Sequence, residues 1–322
     1  NWGSQAEDSG FGQNRQSAIE GYGSQPDSVV RITVQRNKIY SPRWPTNSWA
    51  QTNPNGNSQH PYGPQAITFN NNYTGNHIIR YNHVWSENKN YFNDIFGGSK
   101  NGSYHGFPGP DSDIYSNKLS NCWDDAIESE GNNTNVRIWN NFIDQCYIGI
   151  GNAATSIGPL YIWRNTSYRS NYAAGNQSKY GPFIKMGHAG DPTFMTGYIY
   201  IFHNTVLQLD NDGFGGIGIT NSTKRYMKNV VSKNNVFHSR PSQNNCIANL
   251  LLDKNDFNSH DYNLCSSVNS DSPLQKNSVV GNPAYEANIS PLKEISLSFQ
   301  LELSANSLGR DQGIVINNWN NN

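Results

Sequence analysis

Charge is scarce in this chain. Only 15% of its 322 residues are Asp, Glu, Lys or Arg, and apolar residues reach only 35%. The net charge is −1 and the pI about 6.8, so no global field favours nucleic acid or an anionic membrane. An acidic polymer would need a local patch or a metal to bind. No run of about 18 apolar residues is present, which leaves no helix to span a membrane. A charged-then-apolar leader is also missing at Asn1, and the chain reads as a mature or trimmed product. The four cysteines, Cys122, Cys146, Cys246 and Cys265, include no C-x-x-C pair, so zinc is not expected.

Asn, Gly, Ser and Tyr take the place of the missing residues. Asn, Ser and Gly disfavour helix interiors, whereas Tyr, Ile, Val and Thr suit strands. The expectation is an all-β chain, long enough to bury a sizeable core.

One phrase recurs. Val34-x-x-Asn37-x-Ile39 returns as Ile79-x-x-Asn82-x-Val84, Ile114-x-x-Asn117-x-Leu119, Ile138-x-x-Asn141-x-Ile143 and Ile162-x-x-Asn165. Later copies are Ile201-x-x-Asn204-x-Val206 and Val231-x-x-Asn234-x-Val236, and the Asn steps are 45, 35, 24, 24, 39 and 30 residues. A floor near 24 with irregular excess fits a coil of constant cross-section with loops inserted at its corners. A second short strand follows each phrase, at Ala66–Phe69, Ile95–Gly98, Ala126–Gly131, Ile148–Gly151, Phe183–Gly187, Gly216–Thr220 and Asn249–Asp253. Asn suits a corner because it tolerates left-handed backbone and its amide can bond the same residue one coil away. The pattern resembles a single-stranded right-handed parallel β-helix with an Asn ladder. A β-sandwich would instead show hairpin turns every 8–12 residues or so, without a fixed Asn.

Residues 1–28 read as a polar lead-in or N-terminal cap, and 29–322 as the β-helix domain. Its coils run to about 265, with an end coil and cap over 266–322. Long insertions at Pro42–Gly63, Lys100–Pro110 and Ser167–Tyr180 are expected to wall a groove beside one sheet. Cys122 and Cys146 lie one repeat apart, which places them on neighbouring coils; a disulfide and two buried thiols are both open there, as they are for Cys246 and Cys265.

Between the third and fourth copies lies the densest acidic run, Asp124, Asp125, Glu128 and Glu130. Like charges so close are costly unless protons or a cation neutralise them, and hard oxygen ligands suit Ca²⁺ better than zinc or copper. A solvated acidic patch is the plainer alternative. Lys185 interrupts an apolar, Gly-bounded strand, Ile184-Lys185-Met186-Gly187. Aligning Ile184 with Ile127 places Lys185 two coils from Glu128, about 10 Å away at ~4.8 Å per coil. That leaves room for a metal or a sugar between them.

Asp-Asp-x-x-acid before a coil strand, followed by Phe183-Ile184-Lys185-Met186-Gly187, resembles the calcium-dependent pectate lyases of polysaccharide lyase family 9. The resemblance covers about a hundred residues and implies a secreted, monomeric enzyme acting on an acidic polysaccharide. By that likeness Asp94, Asp124, Asp125 and Glu128 hold Ca²⁺, with Glu128 in place of an Asp, and Lys185 is the base of a β-elimination. Arg137, Arg164 and His188 are candidates to bind substrate. His105 and His203 are weaker ones. Two other classes stay open: a glycoside hydrolase using paired carboxylates, and a non-catalytic carbohydrate-binding or structural solenoid.

Overall fold

A computed structural model of the chain describes residues 17–23, 31–53, 58–71, 74–87, 90–152, 157–169, 181–186, 197–208, 215–219, 229–238, 246–247, 258–268, 272–286 and 301–316. Among them are 22 strands and no α-helix, as the poverty in helix formers requires. The strands pair in parallel within two sheets of 14 and 8 strands. An isolated bridge between Tyr285 and Leu303 is antiparallel.

From Thr33 to Cys265 the chain runs strand, corner, strand, corner, strand, and then repeats. The first strand of each repeat belongs to the eight-stranded sheet, from Thr33–Gln35 through Asp113–Tyr115 and Val136–Trp139 to Ser259–Asp261. The second and third strands share the larger sheet because Lys118–Glu128 and Phe142–Asn152 continue around the corner. Their early halves pair with His83–Trp85 and Thr166–Tyr168, and their late halves with Phe96–Gly98 and Ile184–Met186. Parallel pairing of equivalent strands from one repeat to the next makes the architecture compatible with a solenoid.

Alternation puts one apolar residue per strand inside. Val34, Ile79, Ile114, Ile138, Ile162 and Ile201 stand in register. So do Ile67, Phe96, Ile127, Ile150, Ile184 and Ile217. All twelve are buried, each contributing about 1.5–3 kcal/mol.

The Asn ladder has eight members: Asn37, Asn82, Asn117, Asn141, Asn165, Asn204, Asn235 and Asn263. Within it, Oδ1 of one Asn accepts both the backbone N–H and the Nδ2 of its predecessor, as from Asn117 to Asn141 at 3.1 and 2.9 Å. Nδ2 also donates to a core-strand carbonyl, as from Asn117 to Ile79 at 2.9 Å. Two expectations are corrected here. The residue with left-handed backbone is not the ladder Asn but the one before it: Arg36, Tyr81, Ser116, Asn140, Arg164, His203, Asn234 and Tyr262, all with φ between 52° and 57°. Asn is therefore selected for its amide rather than its backbone. In the seventh repeat the ladder residue is Asn235, not Asn234, because Asn204 donates to Asn235 Oδ1. The doublet Asn234-Asn235 allowed two registers, and the one adopted turns Ser232 inward beside Ile201.

Residues 258–265 form a further repeat carrying Ser259–Asp261, Leu264–Cys265 and Asn263. Ser17–Tyr22, within the polar lead-in, pairs with Gln65–Asn70 and extends the larger sheet. The second strand expected at Asn249–Asp253 lies outside the described residues, although Ile247 bridges to Ile217 just before it. Near the C-terminus, Leu301 joins Phe142, Tyr168, Leu207 and Tyr285 in a separate apolar cluster on the outer side of the second strands. That segment packs on a flank of the larger sheet. Cys122–Cys146 and Cys246–Cys265 are both disulfides.

Candidate functional site

The outward column next to Ile127 reads Thr68, Gly97, Glu128, Gly151, Lys185, Gly218 across successive repeats. Glu128 and Lys185 are therefore in one register line, two rungs apart, as their strand spacing predicts. The glycines between them are structural requirements. A Cβ on Gly151 would lie 2.0 Å from Asp125 Oδ2, and one on Gly97 would lie 2.6 Å from Glu128 Oε2. The carboxylates fold into the space that these missing side chains leave.

The expected gap between Glu128 and Lys185 is closed in an unexpected way. Lys185 Nζ reaches across to Asp125 Oδ2 and Glu130 Oε1, 2.7 Å from each. The contact to Glu130 is an ion pair without hydrogen-bond alignment, since Glu130 Oε1 has no hydrogen-bond partner. Glu128 turns the other way, accepting from Gly98 N at 3.2 Å and Asn101 Nδ2 at 2.8 Å. Asn101 also donates to Glu130 at 3.0 Å, so the 100–110 insertion supplies a donor to the centre. Asp94 accepts from Gln65, Asn93 and the backbone N–H of Asp125. A bulge in the pairing between Cys146 and Ile148 resets the register where Asp125 enters the site.

From the Pro42–Gly63 insertion, His60 Nε2 stands 3.4 Å from Asp124 Oδ2. Trp49 packs edge-on to His60 at 4.9 Å and against Tyr147 at 5.8 Å. Buried Asn47 holds this loop in shape, donating to the carbonyls of Ser48, Gln51 and His60 and accepting from Tyr62 N. The loop does line the acidic centre. His60 did not belong to the predicted set, and Glu130 belonged to it only as a carboxyl of the acidic run open to the hydrolase alternative, not as a metal ligand. Glu130 was legible by alternation with Glu128; nothing local in the sequence pointed from His60 to Asp124.

Asp94, Asp124, Asp125, Glu128 and Glu130 are all less than 10% exposed. Two of these carboxyls, Asp125 and Glu130, contact the Lys185 ammonium, and Asp124 acts on it from nearby. Burial, opposed chiefly by Lys185, raises the Asp124 carboxyl to about 6. Asp125 and Glu128 are pushed well above the carboxylate range, first by burial and then by neighbouring acids. Burial alone would lower Lys185, but Asp125, Glu130 and Asp124 together hold it well above its ordinary value. As the site stands, Lys185 is an ammonium and not a base.

The donor set fits a hard cation. Ligand atoms of Asp94, Asp124 and Asp125 lie within 4.8 Å of one another, and so do those of Asp125, Glu128 and Glu130. Asp124 Oδ1 and Asp125 Oδ1 are buried without a hydrogen-bond partner. All-oxygen clusters with spare lone pairs are what Ca²⁺ takes. The predicted ligands therefore divide: Asp94, Asp124 and Asp125 group together, while Glu128 groups with Asp125 and Glu130.

The other predicted residues are not brought to the centre. Arg137 lies on the eight-stranded sheet and is engaged by Asp113 at 2.6 and 2.8 Å. Arg164 is the exposed left-handed residue before Asn165. Among the described residues, neither bonds to any group of the acidic centre. His188 lies outside the described residues. His203 occupies a left-handed corner position like that of Arg164, and His105 is an exposed loop residue whose N–H bonds Ser103 Oγ. Compared with family models, curated proteins and solved structures, the chain finds no match.

Proposed function

We propose that the chain is an extracellular polysaccharide lyase that cleaves a uronic-acid-containing polymer by β-elimination, on a right-handed parallel β-helix. The handedness rests on the rule that about 98% of crossovers between parallel strands of one sheet are right-handed. The observation that carries the activity is Lys185 Nζ, 2.7 Å from both Asp125 and Glu130, in a buried cluster with unpartnered carboxylate oxygens.

Asp94, Asp124 and Asp125 would hold Ca²⁺, with Glu128 and Glu130 beside them. When bound, the ion would neutralise the substrate carboxylate and acidify the adjacent C5–H. Lys185 takes the C5 proton. The electron pair forms the C4–C5 double bond, and the C4–O bond breaks as the sugar chain leaves. Lys185 can be that base only when the carboxylates around it are otherwise engaged. Burial, the largest influence on it and a lowering one, then decides its state. Gly97 and Gly151 leave the space that the Glu128 and Asp125 carboxylates occupy, and Asn101 orients Glu128 and Glu130.

The test is chelation. EDTA is expected to abolish turnover and lower the thermal midpoint, and Asp125→Asn is expected to do the same without chelator. Full activity in EDTA would remove the metal from the account.

One observation favours a second reading. Burial pushes the Asp125 and Glu128 carboxyls well upward, the direction a general acid needs, and ligand atoms of Asp125, Glu128 and Glu130 fall within 4.8 Å. That is near the carboxyl spacing of retaining glycosidases, ~5–5.5 Å. A hydrolase would release no unsaturated sugar.

A further inference from the structure

The inward column of the eight-stranded sheet is aliphatic through Val34, Ile79, Ile114, Ile138, Ile162 and Ile201, and then changes character. Its next two members, in register with Ile201, are Ser232 and His260. Both are buried, Ser232 at 0% exposure and His260 at 1%. Ser232 is provided for, since its Oγ and its carbonyl each accept from Asn263 Nδ2 at 2.9 Å. His260 is not: neither ring nitrogen has a hydrogen-bond partner. A buried imidazole therefore stands where the column elsewhere carries an aliphatic side chain, with its N–H orphaned.

The surroundings hold no group to receive a second proton on that ring. Lys233 and Asp261 each follow an inward residue, so alternation turns them outward. Asp261 is engaged there by the backbone N–H and Nδ2 of Asn277. His238, on the neighbouring strand Val236–His238, bonds the Tyr285 hydroxyl, and Leu264–Cys265 carries no charge. The segment 272–286 closes over this repeat, with Gln275 N–H and Ser278 Oγ donating to the His260 carbonyl at 2.8 and 3.4 Å. Its charged members among the described residues, Lys276 and Glu286, are exposed. Burial is accordingly the one influence on His260, lowering its pKa from 6.5 to about 4.

The repeat is also placed to open alone. Ser259–Asp261 ends the eight-stranded sheet among the described residues and pairs there with Val230–Lys233 only. An imidazolium in this core would be an unpaired charge away from water, and moving the end strand outward solvates it. The Cys246–Cys265 disulfide keeps the opened repeat tethered to the chain before it.

We propose that His260 makes the last repeat an acid-sensitive end: protonation of its ring opens Ser259–Cys265 and the segment over it while the earlier coils stay closed. The device is independent of the lyase reading. It also runs opposite to the acidic centre, whose raised carboxyls stabilise the fold on acidification, so it shows in local opening and not in the behaviour of that centre.

The test is hydrogen exchange of the full chain, read amide by amide at pH 8 and pH 5, with the intrinsic pH dependence of exchange divided out. Leu264, Gln275 and Val279, whose N–H groups bond Asn235, His260 and Asn263 carbonyls, report on the end; Phe142 and Thr166, bonded to Asn117 and Asn141 carbonyls, report on the earlier coils. A ring that titrates at 6.5 when open and about 4 when closed makes opening roughly thirtyfold more favourable at pH 5 than at pH 8. Protection is expected to fall by that factor at Leu264, Gln275 and Val279 and to hold at Phe142 and Thr166. His260→Leu, which continues the aliphatic column, and His260→Gln, which keeps a polar group without a titrating one, are both expected to remove the pH difference. Unchanged protection at the end in the native chain, an equal loss at Phe142 and Thr166, or persistence of the acid effect in either variant would overturn the proposal.

Discussion

Lys185 shows how one side chain can be read for both stability and chemistry. It is 13% exposed and contacts the buried carboxyls of Asp125 and Glu130, so its removal strands charge where water cannot reach. Breaking a buried pair by removing one partner costs about 3–5 kcal/mol. Lys185→Ala is expected to lose that much stability in chelator near pH 7, measured by urea denaturation. A loss below about 1 kcal/mol would mean that the carboxyls are already neutralised some other way. The same crowding explains Gly151, whose missing side chain is the space Asp125 occupies. The sequence shows Gly151 as a strand stop; that it is also a vacancy for a carboxylate depends on a neighbour one coil away, which no local pattern reveals.

At the scale of the element, the Asn ladder is what aligns one coil with the next. Each buried Asn satisfies donors and acceptors on both neighbouring coils, so losing one orphans groups on either side. Asn235→Ala leaves the Asn204 amide groups without Oδ1 and is expected to cost several kcal/mol, at about 1–3 kcal/mol per orphaned buried group. Asn234→Gly keeps the left-handed corner and loses only exposed bonds to Ile314. Its expected cost is about 1 kcal/mol or less. Equal effects would contradict the register. This pair also marks how far the sequence could be read. Repeats with one Asn between apolar residues gave the right strands and the Glu128–Lys185 alignment, because period-two alternation and the coil step both act locally. The doublet did not, since Val231 and Ser232 each offered a core position and only tertiary pairing chose between them. His60 was beyond reach for a related reason: the Pro42–Gly63 insertion is held in shape through Asn47, not through periodicity. Aromatic columns such as Tyr115, Trp139 and Trp163 stack face to face at 4.3 and 5.5 Å, which strengthens the sheet and covers the ring faces that a sugar would need.

For the whole molecule, the acidic centre is expected to make stability depend on pH and, under the proposed reading, on Ca²⁺. Burial raises Asp124 from 3.8 to about 6 on folding, and raises Asp125 and Glu128 as well. A carboxyl whose folded value is raised stabilises fully below its unfolded value, and that contribution is lost as pH climbs through the folded value. Lys185 is also raised, but its contribution is complete everywhere below its ordinary value of 10.5 and adds no slope here. The chelated protein is therefore expected to lose thermal stability between about pH 4 and pH 6 and beyond. Excess Ca²⁺ is expected to flatten the loss. A pH profile unaffected by Ca²⁺ would contradict cation binding by these carboxylates.

The central claim is that the acidic centre and Lys185 together perform β-elimination on a uronic-acid polymer. The most direct measurement is digestion of pectate, alginate and other uronans by the intact protein in Ca²⁺, followed as the ultraviolet absorbance of unsaturated uronide ends. The account expects that absorbance to grow on at least one uronan, to vanish in EDTA and to vanish in Lys185→Ala. New reducing ends without that absorbance, or its persistence in Lys185→Ala, would contradict it.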